Sequence, residues 1–516
     1  MMPELALIAV GPRSATLEMA CGHPWQAPWD HQVMLDDVPI LTTRTNVFTL
    51  SGLEPGRDYK VAVESNGHRL SLSIRTREEA ALLDVRACGA VGDGRHDDTV
   101  FLQAAIQACP AGGTLLVPPG DWLTGPLFLK SGVCLWLQDG ARLLGHPDIA
   151  RWPVLPGILT DAAGRESYLG SWEGTPADCH AGLITGIGVQ DVHIFGSGII
   201  DGNARFDTWW SRPKAPFQGW RPRALFLVDS ADIQVTGVTV CNSPSWTVHP
   251  LFSRRLTFAD MKVAAPADSP NTDGINPESC QDVRIAGVRF DTGDDCIAIK
   301  SGKIWIAQRR PVATERLTIS NCLMEQGHGG VVIGSEMASG VKAVEIRDCL
   351  FRGTDRGLRI KTRRGRGRLA VVDGIHMRNI RMEGVGSPFV INSFYWCDPD
   401  GRTPYVASRQ PLPVDEGTPT IANITLRDIE AVETRHCAGH VLGLPERPVD
   451  GLTLANYRVR YAADAMPGYP DMAEGIEPLV RAGFHFSHVR GLDLEGVDIA
   501  GQTGDALSFD QVDLIP

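Results

Sequence analysis

A short strand pattern, in which an apolar residue, any residue and a second apolar residue follow one another, recurs through most of this chain. The copies begin at Ile233, Leu256, Val283, Leu317, Val344, Ile375, Ile424, Leu452 and Leu492. Spacings through the middle of the chain are 23, 27, 34, 27 and 31 residues, with no helical periodicity between the copies. Short strands that repeat every about 20 to 50 residues are typical of solenoids, so the pattern predicts a parallel β-helix.

The ends and gaps of the repeat refine this prediction. The 49 residues between Ile375 and Ile424 predict a loop insertion, and solenoid insertions gather on one face, often the binding face. Residues 97–108 have apolar residues at helical spacing, and a strand follows at 112–120. A helix there suits the cap of a right-handed β-helix, because an exposed sheet edge invites aggregation. We therefore expect an all-β chain in which residues 84–516 form a right-handed parallel β-helix.

Residues 1–80 have a different sequence pattern. Short runs of alternating apolar and polar residues, such as Ser14–Met19 and Tyr59–Val63, are separated by turn residues. That alternation predicts a small β-sandwich before the solenoid. The segment from Leu53 through Pro55 to Tyr59 resembles the Leu-x-Pro-x-x-x-Tyr corner of fibronectin type III domains. The resemblance implies a fibronectin type III-like domain over residues 1–80.

Composition narrows the partners. The net charge of −12 argues against nucleic acid, since phosphate binding needs a basic surface. Twelve cysteines show neither a C-x-x-C pair nor zinc spacing, so we expect reduced, mostly buried thiols. The first residues lack a basic region, and no apolar run approaches the about 20 residues of a membrane helix. We therefore expect a cytoplasmic protein with no membrane partner.

Three aspartates lie close together within the repeat, at Asp273, Asp294 and Asp295. Asp294 lies 11 positions after its strand marker and His328 lies 11 positions after the next. Both should therefore stack on one face, one coil or about 4.8 Å apart. Neighbouring carboxylates resist ionising together, which raises the pKa of at least one. A carboxylic acid beside a carboxylate is the pair of groups that can catalyse hydrolysis of a glycosidic bond.

Two cations follow on the next coil, where alternation places Arg359 and Lys361 on the same face. A bidentate guanidinium suits a planar carboxylate, so the pair indicates a substrate that carries one. Both belong to a run of seven cations over residues 356–368. Such a run is either a solvated face or an electropositive groove for a polyuronate.

Taken in order, Asn271-Thr272-Asp273, Gly293-Asp294-Asp295, Gly327-His328-Gly329 and Arg359-Ile360-Lys361 resemble the motifs of the glycoside hydrolase family 28 polygalacturonases. The resemblance runs from about residue 84 to the C-terminal coils. It implies a pectin-lyase-like solenoid that hydrolyses α-1,4-galacturonosyl bonds with inversion and needs no cofactor or metal. The N-terminal sandwich resembles the arrangement in bacterial exo-polygalacturonases.

The family pattern implies a role for each acidic residue. Asp294 would be the general acid that protonates the leaving oxygen, and we expect its pKa to be raised. Asp273 and Asp295 would activate the attacking water. His328 would keep the acid protonated or contact the substrate.

The same resemblance implies that galacturonate oligomers or polymer are the partner. Arg359 and Lys361 would hold the galacturonate carboxylate, and Asn271 would bind substrate beside them. Insertions at residues 151–185 and 393–418 would wall off one end of the groove. With the N-terminal sandwich and an intracellular supply of imported oligogalacturonides, they favour exo action, although family resemblance leaves a secreted or periplasmic location open.

Two other functions remain open from the sequence. A calcium-dependent pectate lyase would use the same solenoid, with the aspartates holding Ca²⁺ and a basic residue abstracting a proton. A non-catalytic β-helix would bind carbohydrate without reacting. His328 and the doubled aspartate favour the hydrolase over the lyase.

Overall fold

The computed structural model describes residues 3–515, and its N-terminal part consists of two antiparallel sheets. The first sheet contains Glu4–Val10, Ser14–Ala20 and Val47–Ser51. The second contains, in spatial order, Val38–Thr45, Gln26–Leu35, Asp58–Ser65 and His68–Arg75. Fully buried Leu17, Val33 and Val61 belong to the core that the two sheets share. This is the small β-sandwich that the alternating runs predicted.

The rest of the chain is a parallel β-helix whose coils each contribute strands to up to three sheets. The first sheet begins with Leu82–Asp84, Gly113–Val117, Val133–Leu137, Gln190–Gly196, Ala231–Thr236, Arg254–Ala259, Gln281–Ala286, Thr314–Ser320 and Val341–Arg347. The second begins with Asp93–Asp97, Gly120–Thr124, Ala141–Gly145, Ile199–Asp201, Thr239–Cys241, Lys262–Ala264, Arg289–Asp291, Leu323–Glu325 and Leu350–Arg352. The third contains Leu127–Phe128, Ile184–Ile187, Leu225–Val228, Val248–Leu251, Ile297–Ile299, Val331–Ile333, Arg356–Lys361, Ser387–Asn392 and Cys437–Leu442. Longer strands complete the last coils, at Val371–Glu383, Thr420–Thr434, Val449–Tyr461, Ala482–Glu495 and Thr503–Leu514.

The predicted strand markers stack on one another in the first sheet. Ile233 pairs with Leu256, Leu256 with Val283, and the ladder continues without a slip to the pair of Leu452 and Leu492. The marker side chains are 0 to 2% exposed, so each coil places them in the continuous core. The repeat therefore sets the register of the solenoid, and the predicted fold class is confirmed.

A helix covers the first coils, as the spacing of apolar residues predicted. Thr99–Ala108 buries Leu102, Ala105 and Ile106 in the core of the solenoid. Two shorter helices, Ile304–Arg309 and Pro404–Ala407, lie in the connections that follow third-sheet strands. The chain thus covers its open end with a helix and keeps its irregular segments on the side of the third sheet.

The sandwich is tied to the solenoid by a buried carboxylate, Glu18. It accepts hydrogen bonds from Arg284 at 2.7 Å, Arg347 at 3.0 Å, Ser320 at 2.9 Å and Asn321 at 2.7 Å. Burial would raise the pKa of Glu18, but the two guanidinium groups outweigh it and hold the pKa below its usual value. Glu18 therefore links the sandwich to three successive coils of the first sheet.

All twelve cysteines lie in the described residues 3–515 as free thiols, and most of them are buried. None of the helices described in that range is long and apolar enough to cross a membrane.

Candidate active site

The three predicted aspartates converge where successive coils enter the third sheet. Asp273 lies just before Ile275, and Asp294 and Asp295 precede the strand Ile297–Ile299 on the next coil. One carboxylate oxygen from each lies within 4.8 Å of the others. Asp273 and Asp295 are buried, whereas the Asp294 side chain is 25% exposed to the cavity above them. The sequence placed these residues on neighbouring coils, and the fold brings their carboxylates together.

Backbone hydrogen bonds between coils fix this convergence. The amide of Gly274 donates to the Asp295 carbonyl at 2.9 Å, and the amide of His328 donates to the Asp294 carbonyl at 3.2 Å. A side chain at Gly274 would place its Cβ 2.3 Å from the Cys296 carbonyl, so only glycine permits this approach. The carboxylates are thus held by the solenoid itself rather than by a mobile loop.

Each carboxylate has its own cationic neighbour. Lys300 Nζ lies 3.3 Å from Asp273 Oδ2, and Lys361 Nζ lies 2.9 Å from Asp295 Oδ2. His328 Nδ1 lies 3.4 Å from Asp294 Oδ1. The spacing of the oxygens would also suit a metal ion. With three cations in place, however, little net negative charge remains to attract Ca²⁺, which speaks against the calcium-dependent lyase.

The charges divide the protons unevenly among these groups. The contact with Asp294 raises the pKa of His328 to about 9, against the opposing effect of burial. Burial would raise the pKa of Asp294, but the neighbouring His328 cation lowers it below its usual range. Burial raises the pKa of Asp273 to about 7, with Lys300 opposing the rise. We expected a raised pKa at Asp294; the structure instead favours the proton on His328, because an imidazolium beside Asp294 stabilises its carboxylate.

Arg359 and Lys361 line the same cavity, but Arg359 already has a carboxylate partner. Asp471 accepts hydrogen bonds from Arg359 Nε at 3.3 Å and from its Nη2. The remaining nitrogen, Nη1, lies 3.7 Å from Asp295 Oδ1. Asn271 also lies at the cavity, where its Oδ1 accepts a hydrogen bond from Arg221 at 2.7 Å.

Sequence reasoning missed several charged residues of this site, among them Lys300, Glu336 and Asp471. Lys300 could have been found, because it follows Ile299 as Lys361 follows Ile360, and those isoleucines occupy one ladder of the third sheet. Asp471 has no such signal, since it lies in a segment between strands whose register the repeat does not define.

Segments from both predicted insertions border the cavity. Glu173 projects from a hairpin formed by Ser171–Trp172 and Thr175–Pro176, and Tyr395 and Asp398 come from the second insertion. Lys303 joins the two: its amide donates to the Gly174 carbonyl at 2.9 Å, and its Nζ donates to Asp398 at 2.9 Å. The insertions therefore meet at one wall of the cavity.

The central arginines of the cation run over residues 356–368 form neither a solvated face nor a free electropositive groove. Arg363 and Arg366 both pair with Asp398, at 3.2 and 2.7 Å, and Arg364 pairs with Glu446 at 2.6 Å. These three guanidinium groups are buried. The central arginines of the run thus fasten the second insertion to the solenoid instead of offering free charge to a ligand.

Comparison with known proteins points to one family. The model described as "Glycosyl hydrolases family 28" matches residues 169–467. A Vitis vinifera protein named "Probable polygalacturonase" is 34% identical over 400 residues, which are 75% of this chain and 75% of that protein. An exopolygalacturonase structure from Thermotoga maritima is 26% identical, covers 80% of this chain and 92% of its own, and has a TM-score of 0.63. The Yersinia enterocolitica family 28 exopolygalacturonase covers 99% of this chain and 98% of its own with a TM-score of 0.73, and at 18% identity this likeness concerns the fold.

Proposed function

The chain belongs to glycosyl hydrolases family 28, and from that membership we propose an exo-acting polygalacturonase that cleaves with inversion. It is a glycoside hydrolase, and its reaction is the hydrolysis of galacturonosyl bonds in polygalacturonate. The observation that carries the proposal is the cluster of three carboxylates within 4.8 Å of one another, beside two cations suited to a uronate. A non-catalytic carbohydrate-binding solenoid would not need such a cluster.

The proton for the leaving oxygen comes from the pair formed by Asp294 and His328. His328 stores the proton in the free site, and Asp294, 3.4 Å away and open to the cavity, passes it to the glycosidic oxygen. This division gives the acid its proton without requiring a raised pKa on Asp294 itself. The site thus keeps a transferable proton at pH values well above the usual pKa of a carboxylic acid.

Asp273 and Asp295 orient and activate the attacking water. Asp295 forms ion pairs with Lys361 and Arg359, which hold its carboxylate in place. Asp273 accepts the proton that the water releases. The carboxylate oxygens approach more closely than the about 6.5 to 9.5 Å usual for inverting enzymes, so inversion rests on the family pattern. Proton NMR of the first product tests it: the anomeric configuration opposite to the substrate supports inversion, and the same configuration refutes it.

The substrate carboxylate is recognised by Lys361 and by the free Nη1 edge of Arg359. Asn271 also lines the cavity, where Arg221 binds its amide oxygen and leaves the amide nitrogen available to a ligand. A planar carboxylate between an ammonium and a guanidinium gains two charge-assisted contacts. This arrangement selects a uronate over a neutral sugar.

The exo mode is supported by the small size of the cavity. Its volume is about 190 Å³, below the about 300 to 1,000 Å³ of common ligand sites, and two insertions meet at its wall. The N-terminal sandwich also suits a fibronectin type III-like domain: it has sheets of three and four strands, and the Tyr59 hydroxyl accepts a hydrogen bond from the Glu54 amide at 2.8 Å. A time course on polygalacturonate tests the mode. Monomer or dimer from the first minutes supports exo action, and a ladder of oligomers refutes it.

We further propose that the protein works in the cytoplasm on oligogalacturonides. Twelve free thiols suit a reducing compartment better than an oxidising one. Fractionation of source cells followed by detection with an antibody tests this location. Recovery in the periplasmic or extracellular fraction would refute it.

A further inference from the structure

Lys300 is a buried cation at the cavity that none of the four motifs contains. It follows the strand Ile297–Ile299 of the third sheet and is only 3% exposed. Its ammonium lies 3.3 Å from Asp273 Oδ2, 3.7 Å from Glu336 Oε2 and 3.9 Å from the centroid of the Trp246 ring. A buried ammonium is stable only where neighbouring acceptors replace its water, and here two carboxylates and an aromatic face do so.

Glu336, the second partner, forms its only ion pair among residues 3–515 with Lys300. Among residues 3–515, no side chain or amide donates a hydrogen bond to its carboxylate, and Lys300 is its nearest cation. Burial would raise the pKa of Glu336, but Lys300, Lys303, Lys361 and Arg366 hold it at about 2. Glu336 is therefore an ionised group at the cavity that competes with Asp273 for the Lys300 charge.

We propose that Lys300 is a positioning residue for the reaction: shared between Asp273 and Glu336, its ammonium holds Asp273 as a carboxylate directed at the attacking water. The inference rests on the proposed function, because it takes Asp273 to act on that water. Lys300 forms the ion pair with Asp273 that the structure shows directly. Glu336 divides that charge and so limits its effect on Asp273.

The other charged groups around the pair do not replace this contact. Asp294 and Asp295 face Asp273 and oppose its ionisation, and Lys361 favours it from a greater distance while bonding to Asp295. Asp295 and Glu278 also face Lys300 and help to keep it a cation. The ionisation of Asp273 therefore depends on how the Lys300 charge is shared between Asp273 and Glu336.

Two substitutions should move the pH dependence in opposite directions. Lys300→Met removes the cation, so Asp273 gains its proton at higher pH, and the acidic limb of kcat/KM moves up by about one pH unit. Glu336→Gln leaves the Lys300 charge to Asp273 alone, so the acidic limb moves to lower pH. Lys300→Arg keeps the cation and should hold the limb close to its wild-type position.

The experiment measures kcat/KM on polygalacturonate against pH for the wild type and these three variants. Lys342→Met is the matched control, since Lys342 is exposed on the first sheet and loses the same charge far from the cavity. Thermal melting shows which variants fold, and Glu336→Gln tests the pair with the buried cation intact even if Lys300→Met unfolds.

Opposite shifts in Lys300→Met and Glu336→Gln, with Lys300→Arg and the control unmoved, support the inference. Shifts in the same direction, or unmoved limbs in variants that fold and hydrolyse, overturn it while the proposed function stands. A folded wild-type protein that hydrolyses neither digalacturonate nor polygalacturonate overturns both.

Discussion

Replacing Asp471 by asparagine should disturb the site without touching any of the three clustered carboxylates. The side chains of Asp471 and Arg359 are 0% and 4% exposed, and the carboxylate binds the guanidinium through Nε and Nη2. Asp471 also accepts a hydrogen bond from the Met472 amide at 2.7 Å, which an asparagine oxygen can keep. The substitution therefore removes the charge and leaves Arg359 buried without this partner.

The size of the effect follows from the burial. Removing one partner of a buried ion pair costs about 3 to 5 kcal/mol. An unfolding entropy of about 2.1 cal/mol/K per residue gives about 1.1 kcal/mol/K for this chain. The melting temperature should therefore fall by about 3 to 5 °C.

Activity should change together with stability. Arg359 Nη1 already lies 3.7 Å from Asp295 Oδ1, so an Arg359 freed from Asp471 turns toward Asp295 and competes with Lys361. We expect KM for polygalacturonate to rise about tenfold, as expected for loss of one charge-assisted hydrogen bond.

Calorimetry and initial rates on the Asp471→Asn variant test both effects. Asp464→Asn is the control, since Asp464 is exposed on the same connection. An Asp471→Asn protein that melts with the wild type and keeps its KM would refute the reasoning about this ion pair.

Three further outcomes are expected. His328→Gln should lower kcat by about 10²- to 10⁴-fold and move the alkaline limb of the pH–rate profile to lower pH. The reason is that the raised pKa of His328 keeps the proton available until the pH rises through about 9. A pH–rate profile with an unmoved alkaline limb would contradict this. Activity should survive dialysis against EDTA and yield no unsaturated product by ultraviolet absorbance, and restoration by Ca²⁺ would favour the lyase instead. Since the pKa of Glu18 is lower in the folded protein, Glu18 contributes to stability above its unfolded pKa, and this contribution is lost as pH falls through the folded value. Glu18→Gln should therefore reduce the loss of melting temperature on the acid side. An unchanged dependence of melting temperature on pH would show that Glu18 does not stabilise the folded protein.

The sequence predicted the solenoid well because coil stacking follows a local rule. Each marker, such as Leu317, must lie beside its neighbours in the first sheet, since parallel strands pair in register and bury alternate side chains. The same rule carried Asp294 and His328 to adjacent coils. Once the register was known, the convergence of the motifs required no further information.

What the sequence could not predict depends on long-range pairing. Asp471 meets Arg359 across 112 residues, and Arg364 meets Glu446 across 82. No periodicity links the members of such pairs, so the cation run was open to two interpretations, and the structure excludes both for its central arginines. The expected pKa of Asp294 was wrong for a related reason. A carboxylate's pKa depends on which cation lies beside it, and the contact with His328 reverses the expected pKa shift at Asp294.

The assignment of Asp294 as the proton donor is tested most directly by the hydrolysis rate of the Asp294→Asn variant on polygalacturonate. Asparagine fills the same space but donates no acidic proton, so we expect kcat to fall by about 10²- to 10⁴-fold while the melting temperature stays near that of the wild type. Full activity in a correctly folded Asp294→Asn protein would contradict the assignment and with it the proposed chemistry of the carboxylate cluster.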